Sequence, residues 1–200
     1  MTIRLLVTGF TPFPGAPENP TEHLIRAFEA EPPLAGRPVE CRFAVLPVDY
    51  GLAIPALEEA GNGFRPDIAI HFGLARQTEG FRLERLARNG IASPQPDNAG
   101  TRPDPSPILP GANHVETTLP LVRIAQALVG QGHVVSWSDD AGGYLCNYVF
   151  YHSAAGLCRA VDARMSGFIH VGEVPPENFR VFRQGAELIL ETCVEELTNG

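Results

Sequence analysis

The chain of 200 residues reads as an α/β protein built on a mostly parallel sheet covered on both faces by helices. Strand-like and helix-like stretches alternate along it, as they do in such folds. The first strand candidate, IRLLVTGF (residues 3–10), is apolar nearly throughout, which suits a strand buried on both sides. With 44% apolar and 19% charged residues, there is material for one compact core.

The elements follow in order. After the loop TPFPGAPEN, Asn19 can cap a helix with Pro20 at its first position and Glu22 placed for a capping box. That helix runs through LIRAFEA until EPP stops it. VECRFAVLPV (39–48) is a second strand, and YGLAIPALEEAG (50–61) a second helix, started or kinked at Pro55. PDIAIHFG (66–73) is a third strand ending at Gly73, and LERLARNGI (83–91) is strand or short helix. Residues 92–110 are dense in proline and polar residues without apolar periodicity, so they form a surface excursion, a hairpin or a lid. TTLPLVRIAQALVGQG (117–132) is a helix with Thr117 or Thr118 near its cap. HVVSW (133–137) is a buried strand, LCNYVFYHSAAGLCRAV (145–161) a helix, GFIHV (167–171) the last clear strand, and residues 176–197 an amphipathic closing helix.

Composition excludes several function classes. A net charge of −8 and no basic block argue against a nucleic-acid surface. No apolar run reaches the roughly 20 residues that span a bilayer, and the N-terminal MTIRLLVTGF enters a strand pattern without a signal-like apolar region. Cys41, Cys146, Cys158 and Cys193 show neither a C-x-x-C pair nor metal-ligand spacing, which fits a reducing cytoplasm. The six histidines include no H-x-H or H-E-x-x-H, so neither metal nor cofactor is expected.

The chemistry centres on SWSDDAGGYLCNYVFYH (136–152). Gly142 and Gly143 permit a tight strand-to-helix turn and a close approach by substrate. Cys146 falls in the first helical turn, where free N–H groups and the macrodipole favour a thiolate. Cys158, placed in the same helix, reads as structural. Ligands in open α/β sheets collect beyond the carboxyl ends of strands, which points to the loops 10–19, 73–82 and 138–145. A nucleophilic cysteine needs a base and an orienting acid. His170 and His71 both lie near strand ends, and Glu79, Glu84, Asp139 and Asp140 are the acidic candidates. Asp139 and Asp140 equally suit a turn.

Five ordered segments carry a resemblance that chooses among these. They are VTGFTPFPGAPENP, GLARQTEGFRLERLARN, NHVETTLPL, SDDAGGYLCNYVFYH and GFIHV. Together they resemble the pyroglutamyl peptidase I (pyrrolidone carboxyl peptidase) family of cysteine peptidases along nearly the whole chain. The resemblance implies a single domain over residues 1–200, a three-layer α/β/α sandwich with a mostly parallel, mixed twisted sheet, often assembled as a homotetramer. It implies Cys146 as nucleophile, His170 as general base and acid, and Glu84 as the group that orients His170. Phe10, Phe13, Asn19 and Leu145 become substrate-binding residues for the flat, uncharged lactam of an N-terminal pyroglutamyl residue. Without the resemblance, both phenylalanines read as core and Asn19 as a helix cap.

Two segments depart from the family pattern. A usual G-G-R before the catalytic glutamate is Arg76-Gln77-Thr78 here, and the usual H-V-P after the histidine is HVGEVPP. Both changes flank the site and bear on substrate affinity, loop conformation and assembly. The alternatives are a related hydrolase with a shifted lactam or amide substrate, and a silent relative that binds pyroglutamyl peptides. A nucleoside phosphorylase-like enzyme lacks support, because no glycine-rich phosphate loop is present.

Overall fold

A computed structural model describes residues 2–199; residues 1 and 200 of the expected domain lie outside the described residues. In chain order the elements are β1 (Ile3–Phe10), α1 (Pro20–Ala30), β2 (Val39–Leu46), α2 (Ala53–Gly61), β3 (Ile68–Leu74), β4 (Phe81–Glu84) and β5 (Leu86–Ala87). They continue with β6 (Val115–Glu116), α3 (Leu121–Gly130), β7 (Val135–Ser138), α4 (Leu145–Ala154), β8 (Met165–Val171) and α5 (Phe179–Asn199). Six strands form one sheet in the order β2-β1-β3-β8-β4-β7, and β5 pairs with β6 in a small separate ribbon. Neighbours in the main sheet run parallel except β4 and β8, which run antiparallel. The sheet is therefore mixed and mostly parallel, as expected.

Strand alternation sorts the core into two layers. Leu5, Val7, Ile68, Ile70, Phe72, Ile169 and Val171 pack with α1, α3 and α5 through residues such as Leu24, Phe28, Ile124, Leu128, Ile189 and Leu190. Leu6, Phe10, Ala69 and Phe168 face the other way and pack with α2 and α4 through Leu57, Val149 and Phe150. Each central strand thus buries both faces, which explains why its sequence is apolar throughout rather than alternating.

Helix starts repay the sequence reading unevenly. Asn19 caps α1, its Oδ1 accepting from the Thr21 amide and hydroxyl. Thr117 and Thr118 do not cap α3; Pro120 occupies that position without a side-chain bond. Both hydroxyls instead donate to the Ser166 carbonyl and hold the start of β8. The helix at residue 145 stops at Ala154, so Cys158 lies beyond it, buried just before a short 3-10 turn at Arg159–Val161. Nor is the strand before Cys146 buried as expected: β7 is an edge strand, and Trp137 is 44% exposed. The ambiguous stretch at 83–91 resolves as the end of β4 followed by β5.

Candidate active site

The site assembles at the carboxyl ends of β1, β3 and β8, on the face covered by α4. β8 alternates so that Phe168 and His170 point to this face while Ile169 and Val171 point away. β4 runs antiparallel beside it, with Arg82 opposite His170 and Glu84 opposite Phe168. Arg82, Glu84 and His170 therefore share one face of the sheet. His170 Nδ1 donates to Glu84 Oε1 at 2.7 Å, with Glu84 fully buried and His170 2% exposed.

Cys146 comes from above. α4 starts at Leu145, and its cap residue Tyr144 supplies no side-chain bond, so its first amides keep no side-chain partner. On the other side, β3 pairs Gly73 with His170. A Cβ at Gly73 would stand 2.8 Å from Cys146 Sγ and 2.6 Å from the Phe168 ring. The absence of a side chain at Gly73 is what lets the sulfur settle over β3 beside the histidine strand.

The two glycines of the preceding turn have separate tasks. Gly142 takes a positive φ of 84°, a conformation only glycine adopts freely. Gly143 makes room for the chain itself rather than for substrate: a Cβ there would lie 2.2 Å from the Ala92 carbonyl, and Ala92 N–H donates to the Gly143 carbonyl. The excursion at 92–110 is irregular apart from a bridge between Ile91 and Ser106, and it packs across the site loops. Asn98 and Gln95 donate to the carbonyls of Pro12 and Pro14, and the buried Asp97 carboxylate accepts from the Tyr50 amide.

Beside Cys146 lies a small cavity of about 30 Å³, lined by Phe10, Phe13, Asn19, Val48, Leu74, Tyr144, Leu145 and Cys146. All four residues expected to bind substrate are on its wall. Asn19 also has structural partners, donating to the Thr11 carbonyl and accepting from Thr21. The sequence reading did not single out Val48, Leu74 or Tyr144. Leu74 ends β3, Val48 lies two residues past the end of β2 and Tyr144 two residues before Cys146, and that nearness is the signal that would have found them. A wider cleft of about 750 Å³ lies under β7 and α3 around Trp137, Val122 and Arg123, away from Cys146.

The competing candidates have other partners. His71 is wholly buried on β3 with Nδ1 bonded to the Thr8 hydroxyl, and burial lowers its pKa to about 3. Glu79 is exposed on the loop before β4. Asp139 pairs with Arg85 at 2.5 Å and Asp140 with Arg88 at 2.8 Å, while Asp140 Oδ1 also accepts from the Gly142 amide. They build the turn. Arg76 pairs with Glu173 at 3.1 Å, so the two segments that depart from the family pattern are joined to each other.

Electrostatics favour a neutral resting pair. Burial pushes the Cys146 thiol up to about 12, and the Glu84 charge adds to this. Burial also lowers the His170 imidazole below its ordinary value, against the raising effect of its hydrogen bond to Glu84. Glu84 would itself be raised by burial, but the His170 hydrogen bond and charge hold it below the usual carboxylate range.

Comparison with known proteins bears on this arrangement. The family model described as pyroglutamyl peptidase matches residues 3–200. This chain belongs to the pyroglutamyl peptidase family. Within that family it is 36% identical to the pyrrolidone-carboxylate peptidase of Pyrococcus furiosus, covering 98% of this chain and all of the relative. It is 35% identical to that of Chromobacterium violaceum, over 96% of this chain and 88% of the relative. A crystal structure of the pyrrolidone carboxyl peptidase from P. furiosus superposes with a TM-score of 0.88 at 34% identity, covering 98% of this chain and 100% of the other. The family fold is thus reproduced over 98% of the chain.

Proposed function

We propose that this member of the family is a cysteine exopeptidase that hydrolyses the peptide bond after an N-terminal pyroglutamyl residue. The observation that carries the residue roles is the buried Glu84–His170 hydrogen bond on the sheet face where Cys146 packs over Gly73. In this reading the Cys146 proton passes to His170 Nε2 as Sγ attacks the pyroglutamyl carbonyl carbon. The oxyanion takes hydrogen bonds from backbone N–H groups at the start of α4, including that of Cys146. The C–N bond then breaks, and His170 gives its proton to the departing amine, leaving a thioester on Cys146. His170 next takes a proton from water as the hydroxyl adds to the thioester carbonyl. Collapse returns that proton to sulfur and frees pyroglutamate.

Glu84 holds the His170 proton on Nδ1, so that Nε2 presents its lone pair to the thiol. The apolar wall of Phe10, Phe13, Val48, Leu74 and Leu145 suits the character of an uncharged lactam, which needs no ionic clamp, and the cavity of about 30 Å³ has to open to take the ring. Asn19 serves by holding the Phe10–Phe13 loop to α1. The partners are peptides bearing N-terminal pyroglutamate, with no nucleic acid or membrane involved. Among the described residues no helix is long and apolar enough to cross a membrane. Free thiols at all four cysteines support a reducing, cytoplasmic setting. Val122 and Trp137, both exposed on the lining of the cleft between α3 and β7, support assembly as a homo-oligomer.

Hydrolysis of a fluorogenic pyroglutamyl amide, with reductant and a chelator, tests this reading. Wild type is expected to release the fluorophore, and Cys146→Ala is expected to release none while keeping the wild-type circular dichroism. Release by the alanine variant would remove Cys146 from its role. A folded but inactive wild type would transfer the reading to another lactam or to binding alone.

A further inference from the structure

The Glu84–His170 pair has a third member that the mechanism above does not use. Arg82 Nε donates to Glu84 Oε1 at 2.8 Å, the same oxygen that accepts from His170, and Arg82 Nη2 lies 3.2 Å from His170 Nδ1. A permanent cation thus shares the orienting carboxylate with the histidine. The contact to Nδ1 is a hydrogen bond only when that nitrogen has lost its proton; against Nδ1–H it sets donor against donor.

We infer that Arg82 is a positioning residue that weakens the hold of Glu84 on protonated His170 and thereby sets the lower pH limit of the site. The inference rests on the assignment of His170 above, and it follows from charge and geometry alone. Half of the Glu84 Oε1 acceptor capacity goes to the guanidinium, and a positive charge at 3.2 Å opposes a second on the imidazole. Other groups facing His170 do not supply this. From α4 the Cys146 thiol lies over Gly73, the β3 residue paired with His170, and within β8 the neighbour is the Phe168 ring at 4.8 Å between centroids. His71, against the far side of Phe168, is held neutral by burial. Glu173, two residues beyond Val171, pairs with Arg76. Arg82 and Glu84 are the two charged side chains in contact with His170 among the described residues.

The direction of the effect follows from the charges. Removing the guanidinium lifts an opposing charge from the imidazolium and returns the whole Glu84 carboxylate to it. Both changes raise the His170 pKa. The same removal withdraws a charge that favours the Cys146 thiolate, so its pKa rises too. The acid limb of activity therefore moves upward whether it reports the base or the nucleophile. A cation on this pair also makes the imidazolium a stronger acid toward the departing amine.

The experiment follows the His170 ring by NMR titration and, in parallel, the pH profile of kcat/KM on a pyroglutamyl amide. Arg82→Gln and Arg82→Met both remove the charge, so a folding loss in one leaves the other; Arg82→Lys keeps it. The neutral variants are expected to raise the His170 midpoint by about one pH unit, with the acid limb following, and the lysine variant to restore most of the wild-type midpoint. An unchanged midpoint in the neutral variants, whatever their rate, would overturn the proposal and leave Arg82 a packing residue. A raised midpoint in the neutral variants beside a wild type that itself fails to cleave the amide would support Arg82 and sink the peptidase reading instead.

Discussion

At the scale of single residues, the site depends on which side chain holds each proton. Glu84 keeps its charge at zero exposure because His170 and Arg82 both donate to it. Replacing it by glutamine keeps the shape and removes the charge that supports the imidazolium. Glu84→Gln is expected to lower kcat/KM by about 10³-fold, and to move the acid limb to lower pH, because Glu84 normally raises the His170 pKa. An acid limb that stays in place would show that Glu84 acts by packing alone. The sign is opposite to that expected on removing Arg82, so the two variants check each other. Of these residues, the sequence reading named Cys146, His170 and Glu84, each through motif context. Arg82 stands two residues before Glu84 on the same strand face, yet nothing short of the strand pairing places it against His170.

At the scale of elements, the α4 start is held by polar side chains that carry no chemistry. Asn147 is buried on the helix and spends its whole amide on the adjacent segment. Its Oδ1 accepts from the Arg88 amide, and its Nδ2 donates to the carbonyls of Arg88 and Gly90. Asn89 then ties the same segment to the far end of the excursion, bonding to Leu109 in both directions and to the Ala112 carbonyl. Asn147→Ala leaves one amide and two carbonyls of the chain without partners in a buried place. It is expected to cost about 1–3 kcal/mol in a urea titration, and to lower kcat more than it raises KM, because the helix start that presents Cys146 loses its anchor. A variant of unchanged stability would show that water replaces these bonds. The excursion was legible as an irregular segment from its prolines. That it presses its own backbone against Gly143 was not, since glycine's tolerance of close approach does not say what approaches.

At the scale of the whole molecule, three buried groups make the fold sensitive to acid. His71 has an ordinary pKa of 6.5 and a folded pKa of about 3. A lowered folded value stabilises the protein fully above the unfolded pKa, and that contribution is lost as pH falls toward the folded one. His170 and Glu84 are lowered as well and act in the same direction. Unfolding midpoints in urea are therefore expected to fall between about pH 6.5 and about pH 3, with a slope near 1.4 kcal/mol per pH unit for each proton taken up on unfolding. A His71→Gln variant should flatten that slope. Equal midpoints for wild type at about pH 7 and about pH 4 would contradict the burial of a neutral histidine at this position.

The order of the longer strands and helices, the apolar run of β1, the Asn19 cap and the placing of Cys146 at a helix start were readable from the chain, while the short strands β4, β5 and β6 were not. Each of the readable features depends on local periodicity or on residues a few positions apart. The pairing of β4 with β8 was not, because strand order is a choice among long-range contacts that local pattern does not encode. That pairing puts Glu84 and Arg82 beside His170, and it leaves β7 as the edge where a buried strand was expected. Sequence context picked out Cys146, His170 and Glu84. The antiparallel register of β4 on β8 decided that the Arg82 guanidinium would share a Glu84 oxygen with His170.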